Sequence, residues 1–142
     1  MLKNNPKLSR DKLEELSRRM DAGVLDCLIQ GYEPVMESSS LPDPDDRHDL
    51  AAAVAGRVDV IVTANLKDFP ARILRTYDIE AVHRDAFFCQ QMDLDLEAVL
   101  SCLKSQRNMY SRPACAPEEF LGFLGKHMPR AVARLRPFTA VI

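Results

Sequence analysis

"LPDPDDRHDLAAAVAGRVDVIVTANLKDFP", residues 41–70, places a helix signal directly before a strand signal and sets acids at the junctions. Asp43 followed by Pro44 reads as an N-cap and first-position pair. Asp45 and Asp46 fill the first turn, where the helix dipole favours negative charge, and Gly56 closes the far end. The expected helix runs over 44–55. "VDVIVTA" (58–64) then has the continuous β-branched character of a strand covered on both faces, which implies a parallel sheet flanked by helices. Asn65 and Asp68 come next, at its carboxyl end.

Upstream, Ser9 is placed to cap a helix over 10–22 with the apolar stripe Leu13, Leu16 and Met20, ending at Gly23. "VLDCLI" (24–29) is short, apolar and partly β-branched, and Gly31 and Pro34 break the chain soon after it, so a buried strand is expected there. "MESSSLPDPDD" reads as a linker. Downstream, Pro70 opens a short helix carrying Ile73 and Leu74, and "IEAVH" (79–83) reads as a further strand. After Asp85 the β signals stop. Residues 95–110, 116–127 and 129–136 read as helices jointed at Pro113, Pro117 and Pro129. The expected division is therefore a sheet-bearing part over 1–88 and a helical extension over 89–142.

The 142 residues suit one domain with a real core. No stretch approaches the roughly 18 apolar residues that would cross a bilayer. The start, "MLKNNPKLSR", has no apolar signal region, and a cytoplasmic protein is the expectation. Cys27, Cys89, Cys102 and Cys115 are widely spaced and do not group with His48, His83 or His127, which argues against a zinc site and for incidental thiols. The net charge of −2 conceals an asymmetry: residues 1–100 hold 12 Lys and Arg against 19 Asp and Glu, whereas 101–142 hold 7 against 2. A basic tail on an acidic body fits a polyanion-binding face, or simply the solvated faces of helices.

In a parallel α/β sheet, ligands collect beyond the carboxyl ends of strands, where helix N-termini also point. Asp46 in the first turn of one element and Asn65 with Asp68 after the strand meet both conditions. Converging carboxylate oxygens suit a hard divalent cation, Mg²⁺ or Mn²⁺. Such an ion activates water and stabilises charge on a phosphoryl group, which points to phosphodiester hydrolysis. The plainer alternatives are that Asp43 is a cap, that Asp45 and Asp49 are surface acids, that His48 is a helix-surface residue, and that Asn65 merely permits the turn.

The composite "DPDDRHDLAAAVAGRVDVIVTANLKDFP" resembles PIN-domain proteins, and within them the toxins of VapC-type toxin–antitoxin systems. It has their acid, small-apolar helix, and strand ending in Thr-x-Asn-x-x-Asp-Phe. The resemblance extends from "NNPKLSRDKLEEL" through "GYEPV" to the helical tail. It implies a three-layer α/β/α sandwich around a parallel sheet, Mg²⁺- or Mn²⁺-dependent endoribonuclease activity, an RNA substrate, silencing by a bound antitoxin, and homodimers. By position it makes Asp46, Asp68 and Asn65 catalytic, with Asp46 and Asp68 on the metal. Thr63 and Asp45 support them, and Arg47, Lys67 and Arg72 are candidates to hold RNA phosphates.

The pattern departs from the family at its start, where an apolar strand ending in a catalytic Asp and a helical Glu have no counterpart, a deficit of roughly forty residues. The sheet-bearing part is therefore expected to be an N-terminally incomplete PIN domain. Asp46 and Asp68 would offset only half the charge of two metal ions, so catalysis is expected to be impaired. Two other readings are a non-catalytic PIN remnant that binds antitoxin or dimerises, and a small α/β ligand-binding domain whose acids only cap helices.

Overall fold

In the computed structural model, residues 9–24, 27–38, 41–111 and 113–142 are described. The chain divides into two compact units, residues 1–40 with 44–57, and residues 41–43 with 58–142.

The first unit is helical. Helix α1 (Arg10–Gly23) starts where expected, with the Ser9 hydroxyl accepting from the Lys12 amide at 3.4 Å. Exposed pairs such as Arg19–Glu15 at 2.8 Å lace its surface, each contributing about 0.3–0.5 kcal/mol. Its Leu16 and Met20 stripe is exposed, and no residue of α1 is buried. The strand expected over 24–29 is a correction: residues 25 and 26 lie outside the described residues, and 27–30 form no regular element, with Leu28 65% exposed. A short apolar run becomes a strand only when a neighbouring strand takes its backbone groups. Part of the expected linker is also helical: α2 (Glu33–Ser38) comes after Gly31, whose φ of 72° turns the chain into it.

Pro44–Asp46 forms a 3-10 turn leading into α3 (Arg47–Ala55), so the helix expected over 44–55 begins in this tighter form. Leu50, Ala51 and Ala53 are buried, and α3 packs on α2. Gly56 ends α3 with its amide donating to the Ala52 carbonyl at 2.8 Å, yet its φ is −77°, and Arg57 takes the left-handed position at φ 53°. Gly56 is needed for closeness instead: a Cβ there would lie 3.0 Å from the Ile29 side chain.

The second unit carries the sheet. Strands β1 (Val60–Thr63) and β2 (Glu80–His83) pair in parallel, from Val60 opposite Glu80 to Thr63 opposite His83. The crossover contains α4 (Ala71–Leu74) and a 3-10 turn, Arg75–Tyr77, closed by Asp78 at φ 56°. Both strands fall where the sequence places them and the sheet is parallel, but Val60 and Val62 are exposed, so β1 is covered less fully than its composition suggests. Among the described residues the fold is mixed and largely helical, with a two-stranded parallel sheet.

Helix α5 (Arg84–Leu94) leaves β2 directly and touches both strands. After it come α6 (Leu96–Asn108), α7 (Pro117–Gly125), α8 (Pro129–Leu135) and a 3-10 segment, Arg136–Val141. Residue Arg112 of the basic tail lies outside the described residues. Met92, Leu103, Phe120, Leu121, Val132, Leu135 and Ile142 form one apolar core among these helices. Arg107 ties the chain end to it, donating from Nε to the Ile142 carbonyl at 2.8 Å and from Nη1 to the Cys115 carbonyl at 2.9 Å. No described helix is long and apolar enough to cross a membrane.

Asp85 joins α5 to α8. It is 4% exposed and is the buried charged residue among those described. Helix α8 has no side-chain cap of its own, and the Asp85 carboxylate takes that role from across the core. Its Oδ2 accepts from the Arg130 amide at 3.0 Å and its Oδ1 from the Ala131 amide at 2.8 Å. Burial alone would push this carboxyl up, but the amides of Ala131 and Arg130 and the Arg130 charge outweigh it and hold the group below its usual 3.8.

A group depressed in the folded state stabilises above its unfolded value, and the contribution disappears as pH falls through the folded one. Asp85→Ala strands two buried amides, for a loss of about 1–3 kcal/mol and a Tm lower by roughly 5–10 °C. Asp85→Asn, which keeps one acceptor, should lose about half as much and lack the wild-type loss of stability below pH 3.8. Circular dichroism melts across pH check both, and equal melting temperatures at neutral pH would refute the assignment.

Candidate functional site

The end of β1 is built by its side chains as much as by its backbone. The Thr63 hydroxyl, at the last strand position, accepts from the Asn65 amide at 3.1 Å and bends the chain out of the sheet. The Asp68 amide then donates to the Asn65 carbonyl at 3.3 Å, and the Phe69 amide to the Leu66 carbonyl at 3.3 Å, which makes 65–69 two overlapping turns. Asn in the first turn position is the residue such a turn favours. Phe69 is buried and anchors the turn to the body.

Within this turn the Asn65 side-chain amide donates to Asp68 Oδ2 at 2.5 Å. The bond fixes the carboxylate and leaves Asp68 Oδ1 and the Asn65 side-chain carbonyl outside it. Both are hard oxygen donors of the kind Mg²⁺ and Mn²⁺ take. Lys67 is exposed in the same turn and Arg72 on α4. Beside the turn, Leu66, Phe69, Ala71, Arg75, Ile79 and Glu80 line a cavity of about 450 Å³.

Thr63, Asn65, Lys67 and Asp68 are thus brought together. Asp45 and Asp46 stand in the 3-10 turn before α3, within the other compact unit. Arg47 begins α3 there, with its Nε buried and without a hydrogen-bond partner among the described residues. His48 is a surface residue whose Nε2 lies 3.1 Å from Asp49 Oδ1. Among the described residues no three His, Cys, Asp or Glu side chains are grouped as a metal ion would require. The oxygens that the sequence proposes for a cation match a hard ion in donor type, and the Asn65–Asp68 pair is set by a single turn.

A second chemical cluster escapes sequence reasoning. Arg84, Tyr110, Phe120, Phe123, Lys126 and His127 line a groove of about 500 Å³ in the helical part. No local signal marks it, because the residues come from four separate segments; the basic excess of 101–142 is the one hint in the sequence.

Residues 84–137 match the family model described as the VapC50 C-terminal domain. Over 91 residues the chain is 43% identical to a protein of Mycobacterium tuberculosis (strain ATCC 25618 / H37Rv) named "Putative ribonuclease VapC50", a match covering 64% of this chain and 54% of that protein. The chain spans about half the length of the curated relative it matches. No solved structure matches. Together the two matches bear out the likeness to VapC-type toxins.

If the Asn65–Asp68 bond organises the turn, Asn65→Ala should speed hydrogen exchange at the Asp68 and Phe69 amides. The bond is exposed, so stability should fall by no more than about 1 kcal/mol. Unchanged exchange at both amides would show that the backbone alone shapes the turn.

Proposed function

We propose that this chain carries the RNA-cleaving site of a VapC-type endoribonuclease that works with Mg²⁺ or Mn²⁺. The observation that supports this most is the turn in which Asn65 fixes Asp68 at the carboxyl end of a parallel strand, in a chain 43% identical over 91 residues to a protein named as a ribonuclease. The finer fold reading that goes with it is a PIN-like α/β/α arrangement around the β1–β2 pair.

In this reading Asp46 and Asp68 hold the cation, and Asn65 holds Asp68 in the orientation that binding needs. Asp45 adds negative charge beside Asp46, and Thr63 holds the turn in its bend. When bound, the cation lowers the pKa of a water and stabilises the charge developing on a phosphoryl oxygen. Lys67, Arg72 and Arg47 supply positive charge for the phosphates on either side of the scissile bond. Two carboxylates match the charge of one divalent ion. The partners in this reading are an RNA substrate, a protein antitoxin that silences the activity, and a second copy of the chain; the compartment is the cytoplasm.

The test is cleavage of structured RNA during titration with Mn²⁺ and Mg²⁺. Cleavage should depend on the ion, stop in EDTA, and fall at least about tenfold in Asp68→Ala and in Asp46→Ala, as expected when a carboxylate on a catalytic ion is lost. Cleavage that persists in EDTA, or that is indifferent to both substitutions, would overturn the site. Binding of antitoxin with no cleavage under any metal would replace it with the non-catalytic reading.

A further inference from the structure

The groove in the helical part combines exposed ring faces with positive charge, and no acid lines it among the described residues. Tyr110, two residues past α6, is 54% exposed, and Phe123, on α7, is 52% exposed. Large rings left in water at the rim of a cavity are surfaces for a flat partner. Phe120 forms the floor and is buried, with its ring tilted by 54° against that of Tyr110 at 6.2 Å between centroids. Lys126 reaches over Phe123, its Nζ 5.5 Å from the ring centroid. A cation on a ring face leaves that charge beside the very surface on which a base would lie.

Arg84 supplies the second charge. Its Nη2 donates to His127 Nδ1 at 3.1 Å. A guanidinium has no acceptor, so this nitrogen of His127 accepts and the ring proton is on Nε2, a further donor. The Nε of Arg84 is buried and has no hydrogen-bond partner among the described residues. The nearest acid in sequence, Asp85, is already taken up by the amides of α8. With no carboxylate on it among the described residues, the guanidinium keeps its charge for the groove that it lines. Arginine in that condition is suited to the oxygens of a phosphate.

We propose that this groove binds single-stranded RNA, stacking one base on the faces of Phe123 and Tyr110 and holding the adjacent phosphate with Arg84, Lys126 and the Nε2 donor of His127. It is a holding site separate from the Asn65–Asp68 turn, and it needs no metal. The choice of RNA over an acidic peptide rests on the proposed RNA substrate and on the rings, since carboxylates alone would make no use of two exposed aromatic faces. The basic balance of residues 101–142, 7 Lys and Arg against 2 Asp and Glu, adds long-range attraction for a polyanion.

The experiment is fluorescence anisotropy of a short fluorescein-labelled single-stranded RNA with the full chain in EDTA, where cleavage is off. Phe123→Leu, which keeps apolar bulk and removes the ring, should weaken binding about tenfold, whereas Phe123→Tyr keeps it. Lys126→Ala should weaken it and reduce the slope of log affinity against log salt by about one. Phe123 is exposed, so loss of fold is not a route to the Phe123→Leu result, and a melt confirms it. Equal RNA affinity in wild type, Phe123→Leu and Lys126→Ala would overturn the groove, as would binding of polyglutamate in its place. RNA binding that depends on Phe123 without any metal-dependent cleavage would support the groove and refute only the nuclease reading. Cleavage that depends on Asp68, with binding indifferent to Phe123, would do the reverse.

Discussion

A single buried carboxylate organises the larger unit. Asp85 stands two residues after β2, on the first turn of α5, and its two oxygens complete the amide end of α8. Helix α8 is seven residues long and has no cap from its own flanks. Short helices are held by packing and by satisfied ends more than by propensity, so this contact decides where α8 lies. Because α5 also touches both strands, the same contact links the sheet to the core formed by Met92, Leu103, Phe120, Val132 and Leu135. A second contact along α5 works in parallel: Arg134 of α8 pairs with Asp93 and donates to the Cys89 carbonyl at 3.2 Å.

Both chemical clusters of this unit depend on that framework. The turn that fixes Asp68 leaves the sheet at Thr63, and the register opposite His83 sets where it begins. The groove takes Arg84 from the residue beside Asp85 and His127 from the loop that enters α8. One buried carboxylate, bonded to two amides, thus helps to set Arg84 and His127 beside the rings of Tyr110 and α7. The two clusters differ in chemistry: the turn offers hard oxygens, the groove rings and positive charge.

The strands and the later helices are legible because their signals are local. "VIVT" and "EAVH" are short β-branched runs between turn residues, and Asp95, Pro117 and Pro129 mark the starts of α6, α7 and α8. Helix α5 is not legible, because it is capped by His83, whose Nδ1 accepts from the Asp85 amide, and because its contacts with β2, α6 and α8 leave no single apolar stripe. Pro34 reads as a breaker, yet it occupies the first turn of α2, where its missing donor is not needed. The run at 24–29 misleads because periodicity cannot distinguish short apolar segments. In the candidate site, Asn65 and Asp68 are legible from their spacing after the strand. The caps and groove around Asp85 and Arg84 are not, since pairs such as Arg84–His127 join residues far apart in sequence.

The claim on which the functional account turns is that Asp46 and Asp68 serve one cation. Paramagnetic broadening of amide resonances by sparing Mn²⁺ tests it without any enzymatic readout. The account predicts that resonances of residues 45–47 and 65–68 broaden together, and that Asp68→Ala abolishes the effect in both segments. Broadening confined to one segment, or centred elsewhere in the chain, would contradict it.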